Sequence, residues 1–378
     1  MPRIGQKGQR VEPEVYCSYA ILSRRSLMSS SESSWTPGEI PDELIDALHE
    51  CQNPLVLTHI YPDGDALGSA IAIHRLLKAA GKNPQTVLTH PVPEKLSFID
   101  HDGESRVLSE NPQLKPEELV EAADLIVVVD TSAPDRLGLM EPAVTASEIP
   151  RICIDHHLEG AYDYFTAIWC EPGSPATGNL VYEVYQRMQM ELDRNTAESL
   201  FVALATDTGW FRHSNAGYKA YEYAARLVEY GVEADPVYNR IFQSFSHERT
   251  LSLGDLLSQS VLSEDGKVLH SVFTEEIRSR RGVSMEELDG FVDSLGQVRG
   301  AEIVFLVVEI SPMRYKVSLR SHGDYSVHTI ATRFGGGGHA KAAGCRIEGT
   351  KDEVLSKLLR ACEDLLGEST TDPATDRA

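Results

Sequence analysis

Short apolar runs alternate with stretches of helical periodicity up to about residue 225. Residues 125–129 are five apolar positions without polar alternation, which is typical of a parallel strand covered on both faces. Shorter runs predict strands at 55–58, 86–88 and 151–154. Helical periodicity predicts helices at 66–80, 176–188 and 195–208. Strands that alternate with helices predict an α/β fold with a parallel, doubly wound sheet.

A second pattern begins beyond this region. Residues 226–260 are predicted to be a helical connector, and 261–366 a smaller α/β domain with a mixed sheet. Its predicted strands are 267–273, 303–310 and 315–319, and its predicted helices are 284–295, 327–334 and 354–366. The first domain is then 39–225, with a flexible extension at 1–38 and a disordered tail at 367–378.

Composition narrows the class of protein. The 378 residues are 42% hydrophobic, enough for two apolar cores, and the net charge of −22 argues against binding long duplex DNA or an anionic membrane. The chain contains no run of about 18 apolar residues and no signal-peptide pattern, so we expect a cytoplasmic protein. The six cysteines form no CxxC pair, which favours reduced thiols over disulfides or a zinc site.

Acidic and histidine residues follow the predicted strands, at the sheet edge where open α/β folds bind ligands. His59, Asp63 and Asp65 follow the first strand, and Pro62 and Gly64 bend the backbone so that both carboxylates can point into one space. Simple capping of the next helix is the alternative for Asp65.

Three further groups show the same placement. Asp130 follows the strand 125–129, where a turn aspartate is the alternative. Asp155, His156 and His157 follow 151–154; one histidine could bind an ion while the other contacts substrate, and a surface triplet is the alternative. Asp207 ends a helix, where a carboxylate prefers a cation, although plain helix termination at Gly209 also explains it.

Together these residues form a ligand set of hard to borderline character: His59, Asp63, Asp65, Asp130, His156 and Asp207. The set suits manganese, magnesium or iron better than a metal that prefers thiolates. One bridging carboxylate would give a two-metal centre, in which ions about 3.5–4 Å apart polarise a phosphoryl group and hold a hydroxide as nucleophile. Such ions would also attract a phosphate to an acidic protein.

Candidate anion ligands stand in the smaller domain. A run of glycines exposes successive N–H groups that can form an anion-binding nest: Gly335, Gly336, Gly337 and Gly338. His339 and Lys341 lie beside it, and a flexible linker is the alternative. Arg320 and Ser321 end a predicted strand, where the arginine could clamp a phosphate or carboxylate or could simply be solvated.

These motifs resemble the DHH phosphoesterase superfamily, and the glycine run with His339 resembles the GGGGH loop of the DHH-associated domain. The resemblance covers residues 45–366, in family order. The two-domain layout is most similar to the NrnA-type oligoribonucleases, which also dephosphorylate 3′-phosphoadenosine 5′-phosphate. Tyr61 stands where the family frequently has Asn, and His328 where it often has Asn near the substrate.

The resemblance implies roles for the individual residues. Two divalent ions, manganese or alternatively magnesium, would be held by one set of His59, Asp63 and Asp130 and another of Asp65, Asp130, His156 and Asp207. Asp155 would orient a histidine. His157 would contact the scissile phosphate and help to protonate the leaving oxygen, so that His157 and Asp130 are the catalytic residues. The glycine run, His339, Arg320 and Ser321 would hold the terminal phosphate of the substrate.

The implied activity is hydrolysis of phosphoester bonds. We expect a manganese-dependent enzyme that cleaves very short RNAs to nucleoside monophosphates and dephosphorylates 3′-phosphoadenosine 5′-phosphate. A related enzyme for cyclic dinucleotides or their linear products is the first alternative. The second is a non-catalytic nucleotide sensor, which would lack a metal ligand, and none is lacking here. Small nucleotides are the expected partners, a homodimer is compatible with the family, and long duplex DNA and membranes are not expected.

Overall fold

The computed structural model describes residues 38–157 and 160–368. Across these residues the chain forms two six-stranded sheets, each covered by its own helices. Of the predicted extension only Gly38 is described. The predicted disordered tail from 367 to 378 begins too early, because the last helix continues to Glu368, and residues 369–378 lie outside the described part.

The first sheet is parallel throughout, with the strand order β3-β2-β1-β4-β5-β6. Its strands are β1 (Pro54–Leu57), β2 (Gln85–Leu88), β3 (Ser105–Val107), β4 (Leu125–Val129), β5 (Arg151–Asp155) and β6 (Ala167–Cys170). The strand order reverses between β1 and β4, which is where doubly wound sheets open a crevice for ligands. The predicted α/β fold with a doubly wound sheet is confirmed.

The helices of this domain lie on both faces of the sheet. They are α1 (Asp42–Glu50), α2 (Gly64–Ala79), α3 (Pro116–Glu121), α4 (Glu141–Ala146), α5 (Thr177–Arg187) and α6 (Arg194–Asp207), with short 3₁₀ helices at Glu94–Ile99, Pro134–Met140 and Tyr162–Tyr164. Along β4, Val127 and Val129 pack into one core, whereas Ile126 and Val128 pack into the other. This two-sided burial explains why the strand has no polar alternation.

Close packing of α2 against α6 places the ends of these helices beside the sheet edge. A Cβ atom on Gly68 would lie 2.3 Å from the carbonyl oxygen of Ser199, so only glycine permits this approach. Gly178 of α5 is packed as tightly, with a Cβ atom 2.6 Å from that of Ala203. The lack of a side chain at Gly68 and Gly178 therefore allows the first turns of α2 and α5 to pack closely against α6.

The connector and the second domain follow. Helix α7 (Tyr218–Glu229) begins before the predicted connector 226–260 and extends into it, and α8 (Ala234–Phe242) and α9 (His247–Ser258) lie within it. The second sheet has the order β11-β12-β10-β9-β8-β7 and is mixed, because β8 and β9 are parallel and the other pairs antiparallel. Its elements are β7 (Val261–Leu262), β8 (Val268–Phe273), α10 (Glu275–Arg281), α11 (Phe291–Leu295), β9 (Ile303–Ser311), β10 (Arg314–Ser321), α12 (Val327–Arg333), β11 (Gly337–His339), β12 (Ala342–Glu348) and α13 (Lys351–Glu368).

Two local predictions in the second domain are wrong. The predicted helix 284–295 is broken into a 3₁₀ turn at Glu286–Leu288 and the short α11, because Gly290 between them has a φ of 78°. The glycine run is not a loop throughout, since its second half forms the edge strand β11 paired with β12. Hydrogen bonding to β12 thus uses part of the backbone that was expected to face an anion.

Candidate metal centre

The predicted ligands meet at the carboxyl edge of the first sheet. His59 follows β1, Asp130 follows β4, and His156 follows β5, and these three strands are neighbours. Asp65 lies in the first turn of α2 and Asp207 is the last residue of α6. The topology therefore brings together these five side chains from distant parts of the sequence.

Asp130 lies between two histidines. Its Oδ2 atom is 3.4 Å from Nε2 of His59, and its Oδ1 atom is 3.7 Å from Nε2 of His156. The Nε2 atom of His156 is also 3.7 Å from Oδ2 of Asp65 and 3.8 Å from Oδ2 of Asp207. The Asp130 carboxylate thus presents one oxygen to each histidine, as a bridging ligand would.

The ligand atoms form overlapping groups in which all atoms lie within 4.8 Å of one another. His59, Asp63 and Asp130 make one group, Asp65, His156 and Asp207 make another, and Asp130, His156 and His157 make a third. The first two groups correspond to the two predicted ligand sets, apart from Asp130 in the second. All six predicted ligands are brought together, and their binding of ions stays a prediction.

Burial makes this concentration of negative charge unfavourable without a cation. Burial and the neighbouring Asp65 and Asp63 raise the pKa of Asp130 well above its usual range. Burial likewise raises the pKa of Asp207 to about 7, although His156 acts in the opposite direction. Among the described residues, no lysine or arginine forms an ion pair with these carboxylates. The cluster therefore has the electrostatic character of a cation site.

The histidines are prepared to bind a metal through Nε2. Nδ1 of His59 donates to the carbonyl oxygen of Ile60 at 2.7 Å, and Nδ1 of His156 donates to that of Ser174 at 3.1 Å. When the ring is neutral, this pattern leaves the lone pair on Nε2, as is usual for histidine ligands. Burial would lower the pKa of His156, but Asp207, Asp65 and Asp130 raise it to about 9, so a metal ion would take the place of a proton on Nε2. Nε2 of His156 is buried without a hydrogen-bond partner, and its distances to three carboxylates are too long for hydrogen bonds. A shared cation would satisfy all of these atoms.

The amino end of α5 holds two of the carboxylates. Asp65 accepts from the backbone N–H of Thr177 at 2.7 Å and from that of Gly178 at 2.9 Å. The hydroxyl of Thr177 donates to Oδ1 of Asp130 at 2.9 Å. Neither Thr177 nor Gly178 was among the site residues predicted from the sequence. Their only signal was their position at the start of a predicted helix, where free N–H groups attract anions.

Asp63 and Asp207 have different supports. Asp63, rather than Asp65, is the N-cap of α2, accepting from the N–H groups of Asp65 and Ala66 at 3.1 Å. Asp207 accepts from Nδ2 of Asn215 at 3.2 Å. Asn215 was also not identified, and nothing in the local pattern marks it.

Asp155 holds His157. Its Oδ1 atom lies 2.7 Å from Nδ1 of His157 and also accepts from the backbone N–H groups of His156 and His157. Burial alone would raise the pKa of Asp155, but these contacts with His157 hold it below its usual range. The geometry fits the implied role of Asp155 in orienting a histidine.

The predicted phosphate ligands lie on the second sheet, apart from the edge that carries the cluster. The Nε atom of Arg320 donates to Asp293 at 2.7 Å, and Nη1 donates to the carbonyl oxygen of Leu319 at 3.0 Å. Ser321 is buried and donates to the carbonyl oxygen of Tyr325 at 2.7 Å. Both side chains are thus engaged within the domain, and their contact with substrate stays a prediction.

The glycine run has a structural reason as well as a candidate function. A Cβ atom on Gly336 would lie 2.1 Å from the carbonyl oxygen of Gly344, and one on Gly338 would lie 2.6 Å from that of Ala342. Gly335 and Gly337 face open space, and Gly335 has a φ of 72°. Close approach to β12 therefore requires glycine at Gly336 and Gly338, whereas a side chain at either of the other two would meet no neighbour.

Comparison with known protein families matches both domains. The model of the DHH family N-terminal domain matches residues 53–206, and the DHHA1 domain model matches residues 265–368. The chain therefore contains a DHH domain followed by a DHHA1 domain. Two predictions are confirmed. The first is the resemblance inferred from the motifs, and the second is hydrolysis of phosphoester bonds as the type of reaction.

Individual relatives agree with this assignment. The bifunctional oligoribonuclease and PAP phosphatase NrnA of Thermus thermophilus is 28% identical over 326 residues, which is 85% of this chain and 93% of the relative. The cyclic-di-AMP phosphodiesterase GdpP of Geobacillus thermodenitrificans is 25% identical over 86% of this chain, which spans 49% of that protein. The crystal structure of an exopolyphosphatase-related protein from Bacteroides fragilis has a TM-score of 0.82 at 25% identity and covers 87% of this chain and 98% of its own.

The described helices include none with the length and apolar character needed to cross a membrane. The predictions of a cytoplasmic location and of a homodimer are not tested by these observations.

Proposed function

We propose that this chain is a manganese-dependent phosphoesterase that hydrolyses very short oligoribonucleotides to nucleoside monophosphates and also dephosphorylates 3′-phosphoadenosine 5′-phosphate. The observation that carries the proposal is the position of Asp130 between His59 and His156, with one oxygen toward each. NrnA relatives from Thermus thermophilus and Mycoplasma genitalium, named as oligoribonucleases and PAP phosphatases, match along 93% and 96% of their own length.

The donor set fits two divalent ions. His59, Asp63 and Asp130 would hold one, and Asp65, Asp130, His156 and Asp207 the other. Nitrogen and carboxylate donors without thiolate suit manganese, with magnesium as the alternative. When bound, such ions would neutralise phosphoryl charge and lower the pKa of water enough to make it a nucleophile at neutral pH.

His157 is positioned to move a proton. Asp155 fixes Nδ1 of His157 by a hydrogen bond, so Nε2 is the atom that can exchange a proton with the leaving oxygen. The buried Asp155 carboxylate also stabilises the imidazolium that forms when the ring is protonated. His157 thereby serves as the general acid that releases the product alcohol.

A preference for short RNA substrates would follow from the two-domain layout. The Nη2 donors of Arg320 are not used by Asp293 or Leu319, so they are available to a phosphate oxygen. A substrate held at one end by the second domain and cleaved at the first would have room for only a few nucleotides.

The test compares RNA length directly. Purified protein with manganese is incubated with labelled RNAs of about two to twenty-four nucleotides, a range that spans short single-strand sites. We expect the shortest substrates to be cleaved fastest and Asp207→Ala to abolish turnover while remaining folded. Asp135→Ala, an exposed aspartate near the cluster, is the matched control. Equal or faster cleavage of the longest RNA would contradict the length preference.

A second activity has specific support. The GdpP relative, named as a cyclic-di-AMP phosphodiesterase, aligns with 86% of this chain. A panel of linear dinucleotides, cyclic dinucleotides and 3′-phosphoadenosine 5′-phosphate, compared by kcat/KM, separates the two functions. A cyclic dinucleotide as the best substrate would replace the proposed function by this one.

A further inference from the structure

Two aromatic rings lie together beside the cluster and take no part in it. The ring of Tyr61 is tilted onto that of His90, with centroids 4.1 Å apart and an angle of 36° between the planes. Tyr61 follows β1, between His59 and Asp63, and His90 follows the neighbouring strand β2. Both rings therefore leave the sheet at the edge that gathers the candidate metal ligands.

Tyr61 is held in an unfavourable backbone conformation and yet remains exposed. Its φ is 54°, in the left-handed region that bulky side chains rarely adopt, and 63% of the residue is accessible to solvent. Asn tolerates such a φ more easily than Tyr does. The backbone strain at Tyr61 is therefore not compensated by burial of its ring. Strain of this kind is concentrated at functional sites.

The backbone on both sides of Tyr61 is anchored. The N–H of Ile60 donates to the carbonyl oxygen of Arg136 at 2.8 Å. Gly138 packs so closely that a Cβ atom there would lie 2.4 Å from Cγ2 of Ile60. On the other side, Asp63 caps α2 through two backbone N–H groups. An exposed ring on a fixed backbone loses little entropy when a ligand stacks on it.

We propose that Tyr61, supported by His90, is the stacking platform for the nucleobase next to the scissile phosphate. Aromatic rings bind the faces of all bases, so such a platform gives affinity without sequence preference. It also needs no cation, which suits a protein with a net charge of −22. The inference rests on the proposed function, because a base reaches this ring when its phosphate lies at the cluster.

The experiment removes the ring without adding strain. Tyr61→Asn deletes the aromatic face and keeps a residue that accepts positive φ, while Tyr61→Phe retains the face. Each protein is given a linear dinucleotide and two analogues, each lacking one of the two bases. The readout is the ratio of kcat/KM for the intact dinucleotide to that for each analogue. For one of the two analogues, we expect Tyr61→Asn to lower this ratio about tenfold, and Tyr61→Phe to keep it.

Thermal unfolding separates stacking from packing. We expect Tyr61→Asn to melt at or above the temperature of the wild type, because the substitution relieves backbone strain. If both ratios are the same in Tyr61→Asn and the wild type, the platform is refuted. A lower melting temperature with unchanged ratios would show that the ring pair only stabilises the surface, and would overturn the inference equally.

Failure of the proposed function gives a different result. If the wild type cleaves no dinucleotide, calorimetric titration with AMP in the presence of manganese replaces the kinetic comparison. About tenfold weaker AMP binding by Tyr61→Asn than by the wild type would still support the platform. Equal affinities, or no binding of AMP by the wild type, would refute it.

Discussion

Oδ1 of Asp155 lies 2.7 Å from Nδ1 of His157, and the same oxygen accepts the backbone N–H groups of His156 and His157. This carboxylate therefore orients the ring of His157 and fixes the backbone of His156, whose ring is held by the carbonyl oxygen of Ser174. His156 points Nε2 at three carboxylates, whereas His157 is left partly accessible to solvent. In the proposed function, the two adjacent histidines would have different tasks, ion binding for His156 and proton transfer for His157.

Replacing Asp155 should reduce turnover more than it reduces metal binding. Asp155→Asn keeps the shape but removes the charge that supports the His157 imidazolium. We expect kcat to fall about 10- to 100-fold, the range found when partners of site residues are changed. Manganese content measured by elemental analysis should stay near that of the wild type. Loss of the metal together with activity would show that Asp155 acts on ion binding instead.

Asp130→Asn should stabilise the metal-free protein. Because the folded state raises the pKa of Asp130, stability falls as pH rises from the usual carboxyl pKa toward the folded value. The substitution removes this penalty at neutral pH. We expect a higher melting temperature in EDTA and little further gain from manganese, whereas the wild type should gain strongly.

Scanning fluorimetry with and without manganese measures both effects. Asp135→Asn, on the exposed surface, is the control and should behave as the wild type. A metal-free Asp130→Asn protein that melts below the wild type would contradict the electrostatic account of the cluster.

The hydroxyl of Thr177 should contribute to ion affinity. Thr177→Val removes the donor to Asp130 but keeps the side-chain shape and the backbone N–H that binds Asp65. We expect manganese affinity to weaken about tenfold or more. Titration calorimetry of the metal-free protein measures it, with the exposed Thr145→Val as the matched control. An unchanged affinity would show that Asp130 needs no such support.

A buried ion-pair network away from the site should govern acid stability. Oε2 of Glu104 accepts from Arg75 at 2.9 Å, Oε1 accepts from Lys78 at 3.0 Å, and the glutamate side chain is 4% exposed. Burial would raise the pKa of Glu104, but these two cations lower it overall. Its contribution is therefore present above the usual carboxyl pKa and lost as pH falls through the folded value.

Urea unfolding at two pH values tests this network. We expect Glu104→Gln to cost on the order of 3 kcal/mol at pH 7, because it removes the nearer and more buried of the two carboxylate partners of the buried Arg75. The difference from the wild type should shrink at acid pH, because protonation of Glu104 removes the charge. Glu233→Gln, in an exposed pair with Arg194, is the control and should change stability by under about 1 kcal/mol. A cost independent of pH would rule out the charge as the cause.

The sheet and the cluster could be predicted because their signals are local. The run of residues before Asp130 can only be a strand buried on both faces, and parallel strands necessarily end at one edge. Asp63, Asp130 and His156 were therefore placed correctly relative to one another. Thr177 and Asn215 could not be found, because their importance comes from packing of α5 and of the segment after α6. A threonine at a helix start is too common to carry such information.

The second domain was less predictable for a related reason. Helical periodicity around 284–295 is real, but the backbone conformation of Gly290 interrupts it. The glycine run predicted an anion nest, whereas Gly336 and Gly338 are also required by close contact with β12. Close approach between the backbones of two strands does not change the hydrophobic pattern. The same glycine motif can therefore serve both packing against β12 and anion binding.

Anomalous diffraction from crystals grown with manganese tests the two-ion site most directly. We expect two anomalous peaks, one on each side of the Asp130 carboxylate, with His59 beside one and His156 beside the other. A single peak, or none in excess manganese with these side chains unmoved, would contradict the assignment of Asp130 as the bridge.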